Sequence, residues 1–218
     1  MRLLLIRHGQ ISSNVEGLLD TRIPGPDLTP LGVLQAAALP EALADESVDA
    51  IYASVQVRSQ LTAASLALAL GLEVRVRDGI REIAAGDYEM RRDFDAVEVY
   101  TSTIVAWAAG QVELEMPGGE TGAEVFARFD AVVAEAYEAG HATAAFFSHG
   151  AIIRAWSGYT GTNFGAEFIA ENPLRNTGVV VLEGSPEAGW AVLAYMGEAV
   201  GGPELDGSPA GDPTGAAL

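Results

Sequence analysis

The sequence predicts an α/β fold, a three-layer sandwich with a mainly parallel central sheet flanked by helices. Three observations predict it. Short apolar runs of strand length recur along the chain: Leu3-Leu4-Leu5-Ile6, Ala50-Ile51-Tyr52-Ala53 and Ala144-Ala145-Phe146-Phe147. They alternate with stretches of helical periodicity, as in βαβ units. Two of the three histidines directly follow such a run and precede glycine, as Arg7-His8-Gly9 and Ser148-His149-Gly150. Ligands of open α/β sheets bind at the carboxyl ends of the strands, where these residues fall.

The elements follow in order. Residues 2–6 read as the first strand. Asp27-Leu28-Thr29-Pro30 opens a helix, with Thr29 as N-cap and Pro30 at the first helical position. It runs to about Ala44 unless Pro40 ends it. Residues 49–53 form a second strand, and Ser54 can cap the helix after it, whose Leu61, Ala64 and Leu68 share a face. Gly71 ends that helix. Glu73 to Arg77 alternates polar and apolar, as a half-exposed strand does. Residues 84–119, punctuated by Gly86, Gly110 and Pro117-Gly118-Gly119, are expected to leave the sheet as a helical cap. A long helix spans Thr121–Ala139, with Val125, Phe129, Val132 and Ala136 at helical spacing and Gly140 as its stop. The strand 143–148 follows, then a helix from about Ala151. The runs 178–183 and 190–195 are joined by the turn signal Gly184-Ser185-Pro186. Residues 1–200 thus read as one domain. Residues 201–218, rich in Gly, Pro and Asp, are expected to be a disordered tail.

Composition narrows the function. A formal charge of −18 argues against nucleic acid and anionic membrane partners. No cysteine is present, which excludes disulfides and thiolate metal sites. No apolar stretch reaches the ~18 residues of a membrane span, and Arg7 interrupts the first run too early for a signal peptide, so a cytoplasmic protein is expected. All twelve basic residues are arginine. Without lysine, Schiff-base and P-loop chemistry are excluded, and any anion site must use arginine, histidine or backbone amides.

The residues after the predicted strands make one inventory: Arg7, His8 and Asn14; Ser54 and Arg58; Arg81 and Glu82; His149. Parallel neighbours would bring them into one crevice, and that inventory suits phosphoryl transfer through histidine. A neutral imidazole is a competent nucleophile near neutral pH. Arginines bind phosphate oxygens in bidentate, charge-assisted fashion. A departing alkoxide needs a proton, which a carboxylic acid held protonated can give. No metal is required, and there is no carboxylate cluster of the usual metal-binding kind.

These segments are similar to the histidine phosphatase superfamily, in the branch holding phosphoglycerate mutases and small-molecule phosphatases. The resemblance spans most of residues 1–183. It is carried by Arg7-His8-Gly9-Gln10, with Gln where Glu is commoner, by Leu28-Thr29, Gly32 and Gln35-Ala36, and by Ser54, Arg58 and Thr62-Ala63. It continues through Glu82, Gly86 and Glu89, Pro117-Gly118-Gly119-Glu120, and Ser148-His149-Gly150 with Arg154. The resemblance implies catalytic roles for His8 as nucleophile, Glu82 as proton donor and His149. It implies phosphate binding by Arg7, Arg58, Asn14 and His149, with a backbone amide of Gly150 or Ala151 as a further donor. It implies no cofactor and no metal. Asp20 falls where relatives place Gln or Ser facing the substrate, and Met90 replaces a glycine. Trp107, in the apolar stretch of the excursion, either lines the substrate pocket or packs in the cap core.

The expected partner is a small-molecule phosphate ester, and a homodimer is left open. The excursion is short, and its basic residues are only Arg91 and Arg92. A phosphatase is therefore expected over a phosphoglycerate mutase. A catalytically silent binding or regulatory protein on the same fold is the rival of another class. Retention of His8, His149, both arginines and Glu82 weighs against it.

Overall fold

Leu3, Leu4, Leu5 and Ile6 of β1 (Arg2–Arg7) expose no surface at all, because successive side chains enter two different cores. Leu4 and Ile6 pack with Leu39, Ala63 and Leu66 on one face of the sheet. Leu3 and Leu5 join Tyr52, Phe129, Phe146 and Trp156 on the other. Fully burying each such side chain stabilises the fold by about 1.5–3 kcal/mol. The structure is a computed structural model and describes residues 1–207 and 212–215.

The first layer is α2 (Pro30–Ala42) and α3 (Val57–Leu70). The sheet has six strands in the order β3-β2-β4-β1-β5-β6. Its members besides β1 are β2 (Ala50–Ser54), β3 (Val74–Arg77), β4 (Thr143–Ser148), β5 (Val179–Ser185) and β6 (Gly189–Met196). The pairs β1–β4, β2–β4 and β2–β3 are parallel, and β5 runs against both of its neighbours. The other layer holds α4 (Phe94–Ala108), α5 (Gly122–Glu138) and α6 (Gly150–Thr160). Two short helices, α1 (Ser12–Glu16) and α7 (Ala166–Glu171), carry no period long enough to read and were not expected.

Local signals explain most boundaries. Thr29 caps α2 by accepting from Gly32 N (3.0 Å), with Pro30 at N1 as expected. The helix runs through Pro40 and stops at Ala42. Thr121 and Glu124 form a reciprocal capping box on α5. Ser54, expected as a cap, is the last residue of β2 instead. The N-cap of α3 is Gln56, and Ser54 Oγ bonds its side-chain oxygen at 2.7 Å.

Two further expectations are corrected. The inner face of α4 (Ala96, Tyr100, Ile104, Trp107) lies in the main core, so the helix of the excursion is part of the sandwich. Trp107 has no exposed surface. Its indole N–H donates to Leu114 O at 2.8 Å, and its ring packs on Gly122 and Phe126, so it lines no substrate pocket. The tail is not featureless either. Residues 203–205 form a 3-10 turn, and 212–215 are buried, because polar groups near β1 hold them. The expectation for 208–211 and 216–218 lies outside the described residues.

The loop after β1 is fixed by a close backbone crossing. A Cβ on Gly9 would lie 2.6 Å from the Gly32 carbonyl oxygen, and one on Gly32 would overlap the Gln10 carbonyl. Gln35 Oε1 then accepts from Gln10 N (2.8 Å), and Thr62 Oγ1 accepts from Gly9 N (2.9 Å). The Leu-Thr-x-x-Gly-x-x-Gln stretch is thus a clamp on the His8 loop. Gly32→Ala should destabilise the protein by about 1–3 kcal/mol through this overlap, read as a lowered midpoint in urea unfolding. An unchanged midpoint would show that the crossing relaxes freely.

Candidate active site

Parallel pairing of β1 with β4 sets Arg7 opposite Ser148 and makes His8 N donate to Ser148 O at 3.1 Å. The two following residues are therefore neighbours, and the His8 and His149 rings lie 5.2 Å apart between centroids at 60°. Both side chains are buried. His8 Nδ1 is 2.7 Å from the Gly9 carbonyl oxygen. A carbonyl can only accept, so Nδ1 carries the proton and the Nε2 lone pair is left free to react.

Arg58 comes from the first turn of α3, one strand over. Its Nε donates to His149 Nδ1 at 3.3 Å and its Nη2 to Asp20 O at 3.2 Å. Ser59 Oγ lies 3.3 Å from His149 Nε2, which fits the proton on that nitrogen. Arg7 donates from Nη1 to Leu174 O at 2.8 Å and from Nη2 to Asp212 and Thr214. Arg7 Nε and Arg58 Nη1 are buried donors with no acceptor among the described residues. Two orphaned guanidinium N–H groups beside two imidazoles fit the oxygens of a phosphoryl group.

Burial, then the charges of Arg58 and Arg7, holds His8 well below the usual imidazole pKa, against the opposing Gly9 hydrogen bond. His149 is pushed down by burial first, then by Arg58, His8 and Arg7. Both rings are therefore neutral near pH 7. Glu82 is buried at the N-terminus of α6, accepting from Ile83 N (2.9 Å), Ala151 N (3.2 Å) and Ile152 N (3.0 Å). Burial raises its pKa, and those amides and Arg58 oppose the rise.

The expected residues thus converge, with differences in detail. Asn14 Oδ1 accepts from Ile11 N (3.1 Å), and its Nδ2 faces Asp212. The Ala151 amide, expected on phosphate, is engaged by Glu82. Gly150 lies against Arg7 and the tail. Asp20 accepts from Ser13 Oγ at 2.5 Å, so a hydroxyl and the neighbouring Arg58 offset its charge. Met90 has φ 61°, in the left-handed region, which explains why a glycine suits this position. Glu89 accepts from Thr21 N (2.9 Å), and Gln56 Nε2 donates to Thr21 O (2.9 Å), tying the two rim loops together.

Supporting residues were missed. Asn176 Nδ2 donates to His8 O (3.0 Å) and Asn14 Oδ1 (3.2 Å). Arg128 clamps the carbonyls of Gly79, Arg81 and Glu82 while paired with Glu120. The Pro-Gly-Gly-Glu motif was the available signal for Arg128; Asn176 had none.

A buried histidine pair beside guanidinium donors, at the carboxyl ends of parallel strands, is an arrangement suited to holding a phosphoryl group. The chain belongs to the histidine phosphatase superfamily (branch 1), whose family model matches residues 3–196. It is 36% identical over 212 residues to the PE-PGRS family protein PE_PGRS11 of Mycobacterium tuberculosis, covering 90% of this chain and 36% of that protein. It is 35% identical over 132 residues to phosphoserine phosphatase 1 of Hydrogenobacter thermophilus, covering 59% of this chain and 60% of the relative. The chain thus spans about a third of the first relative and under two thirds of the second. Among solved structures, a mycobacterial glucosyl-3-phosphoglycerate phosphatase complexed with VO3 superposes with a TM-score of 0.74 at 26% identity, covering 90% of this chain and 99% of that one. Among the described residues, no helix is long and apolar enough to cross a membrane.

The electrostatics give a direct expectation. Both rings should remain neutral as pH falls through 6.5, read from histidine ring ¹⁵N shifts. Arg58→Met should raise both titration midpoints, since Arg58 is the largest charge acting on each. Midpoints unmoved by that change would show that the Arg58 charge does not act on the rings.

Proposed function

We propose that this chain hydrolyses phosphomonoesters of small molecules through a phosphohistidine formed on His8. The observation that carries the reading is the neutral His8 imidazole, its Nδ1 proton given to Gly9 O, beside the orphaned Arg7 Nε and Arg58 Nη1. The His8 Nε2 lone pair attacks phosphorus and the P–O ester bond breaks. The leaving alkoxide takes the proton of Glu82. Water then gives a proton to the Glu82 carboxylate and attacks phosphorus, the P–N bond breaks, and inorganic phosphate leaves. Arg7, Arg58, Asn14 and His149 hold the phosphoryl oxygens throughout, and the two arginines supply the fixed positive charge that phosphoryl transfer needs.

The site is suited to both halves. Burial favours the Glu82 acid that the first step uses, and the α6 amides favour the carboxylate that the second uses. Names of relatives, such as phosphoserine phosphatase and glucosyl-3-phosphoglycerate phosphatase, support a small monoester as substrate. Arg91 is paired with Asp93 at 2.6 Å on the surface, which removes one cation that a bisphosphate would need and supports a phosphatase over a mutase. A cytoplasmic location belongs to the same reading, in keeping with a chain without cysteine.

Quenching during turnover of a radiolabelled monoester should trap an acid-labile phosphoryl label on the wild-type chain and none on His8→Ala. A label that persists in the variant would remove His8 as nucleophile. In kcat/KM, which reports formation of the phosphohistidine and not its hydrolysis, Glu82→Gln should slow alkyl phosphates about 10²–10⁴-fold, and p-nitrophenyl phosphate much less, because nitrophenolate leaves without a proton. Equal losses with the two leaving groups would exclude the acid role. Chelator should leave turnover unchanged, since guanidinium groups supply the charge; inhibition by chelator would contradict the mechanism.

A further inference from the structure

The polar groups at the end of β1 meet a segment some two hundred residues away in sequence. Arg7 Nη2 donates to Asp212 Oδ2 at 2.5 Å and to Thr214 Oγ1 at 2.9 Å. The second carboxylate oxygen, Asp212 Oδ1, accepts from Asn14 Nδ2 at 3.2 Å, Thr214 Oγ1 at 3.1 Å and Thr214 N at 3.3 Å. One carboxylate thus bridges two of the residues that hold phosphoryl oxygens under the proposed function. Its oxygens, charge and use of the guanidinium edge are those a phosphoryl group would offer. Asp212 is 2% exposed and Thr214 8%.

The seat is fitted on both sides. A Cβ on Gly150 would overlap the Thr214 carbonyl oxygen, and a Cβ on Gly215 would overlap Arg7 Nη1. Leu174 N donates to Gly215 O at 2.9 Å and closes the far end. Upstream, the chain is moored beside the same loop: Gln10 Nε2 to Gly207 O (2.6 Å), Gln35 Nε2 to Leu205 O (2.8 Å) and Arg175 Nη1 to Asp206 Oδ1 (3.2 Å). A ligand tethered that close acts at high effective concentration.

We propose that Asp212–Gly215 is an intramolecular competitor for the Arg7–Asn14 side of the phosphoryl subsite, its Asp212 carboxylate taking donors that substrate oxygens would use, so that a phosphate ester must displace the tail to engage both residues. The idea rests on the phosphatase reading for the identity of the displaced ligand. Its test reads binding as well as turnover.

Affinity for inorganic phosphate is measured by calorimetry on the full-length chain and on full-length Asp212→Ala/Thr214→Ala. If the tail is seated about nine times in ten, phosphate binds the double variant about tenfold tighter. KM for p-nitrophenyl phosphate then falls by the same factor with kcat unchanged. Unchanged phosphate affinity overturns the proposal. Weaker affinity also overturns it, since the tail would then complete the site rather than compete for it. On the wild-type chain, saturating phosphate should speed hydrogen exchange at the Thr214 and Gly215 amides, and unaltered protection there would overturn displacement without relying on any variant. Absence of hydrolysis in both proteins, with tighter phosphate binding by the variant, would sink the phosphatase reading and leave the competitor standing.

Discussion

Two guanidinium groups, on Arg7 and Arg58, are buried at the carboxyl edge of the sheet, and the rest of the site follows from how their charge is balanced. Taking such an ion out of water costs several kcal/mol unless partners replace the lost hydration. The protein replaces only part of it. Arg7 has one backbone carbonyl and the tail; Arg58 has the Asp20 carbonyl and a neutral imidazole nitrogen; one nitrogen of each has no acceptor among the described residues. Burial first, and then that uncompensated charge, keeps the His8 and His149 rings unprotonated, the state that the proposed nucleophilic role of His8 needs. The charge that draws an anion to the site therefore also adds to burial in keeping the rings neutral.

That balance depends on backbone geometry that gives no slack. Parallel pairing of β1 and β4 fixes the two histidines side by side, and the Gly9–Gly32 crossing fixes the loop that turns His8 inward. Gln35 and Thr62 satisfy the amides exposed by that turn. Residues that look like motif in the sequence thus divide into two kinds. His8, Arg7 and Arg58 carry charge or reactivity, while Leu28-Thr29, Gly32 and Gln35 hold the loop.

The catalytic inventory was legible because it combines rare residue types with a position, the end of an apolar run, that physics ties to ligand binding. The strands were legible for the same reason, their apolar runs being long enough to identify and short enough to place. What escaped depends on partners far away in sequence. Asn176 bonds His8 O across 168 residues, and nothing local distinguishes it from a loop asparagine. Ser54 has the right chemistry for a cap, yet pairing of β2 with β3 holds it in the strand and passes the cap to Gln56. Trp107 sits in an apolar stretch whose period cannot say which core it enters. The tail's composition matches disorder, and it takes the distant Arg7 charge and Asn14 amide to give Asp212 a reason to be held.

Glu82 shows how one environment can serve opposite protonation states. A carboxyl group with no water around it favours the acid, and one at a helix N-terminus favours the anion. Glu82 has both influences, and burial is the larger. A residue biased far to either side would serve only one of the two proton transfers a two-step hydrolysis requires. Its amide partners, Ala151 and Ile152, begin the helix that His149 precedes, so the position of the acid is set by the element that also places the second histidine. Under the proposed function, the chain therefore couples its proton donor to its phosphoryl cradle through backbone alone. Met90 sits at the rim, outside that coupling, while Asp20 touches the cradle through the carbonyl that accepts from Arg58. Asp20 is balanced by Ser13 and Arg58, and Met90 occupies a left-handed turn that needs no particular side chain.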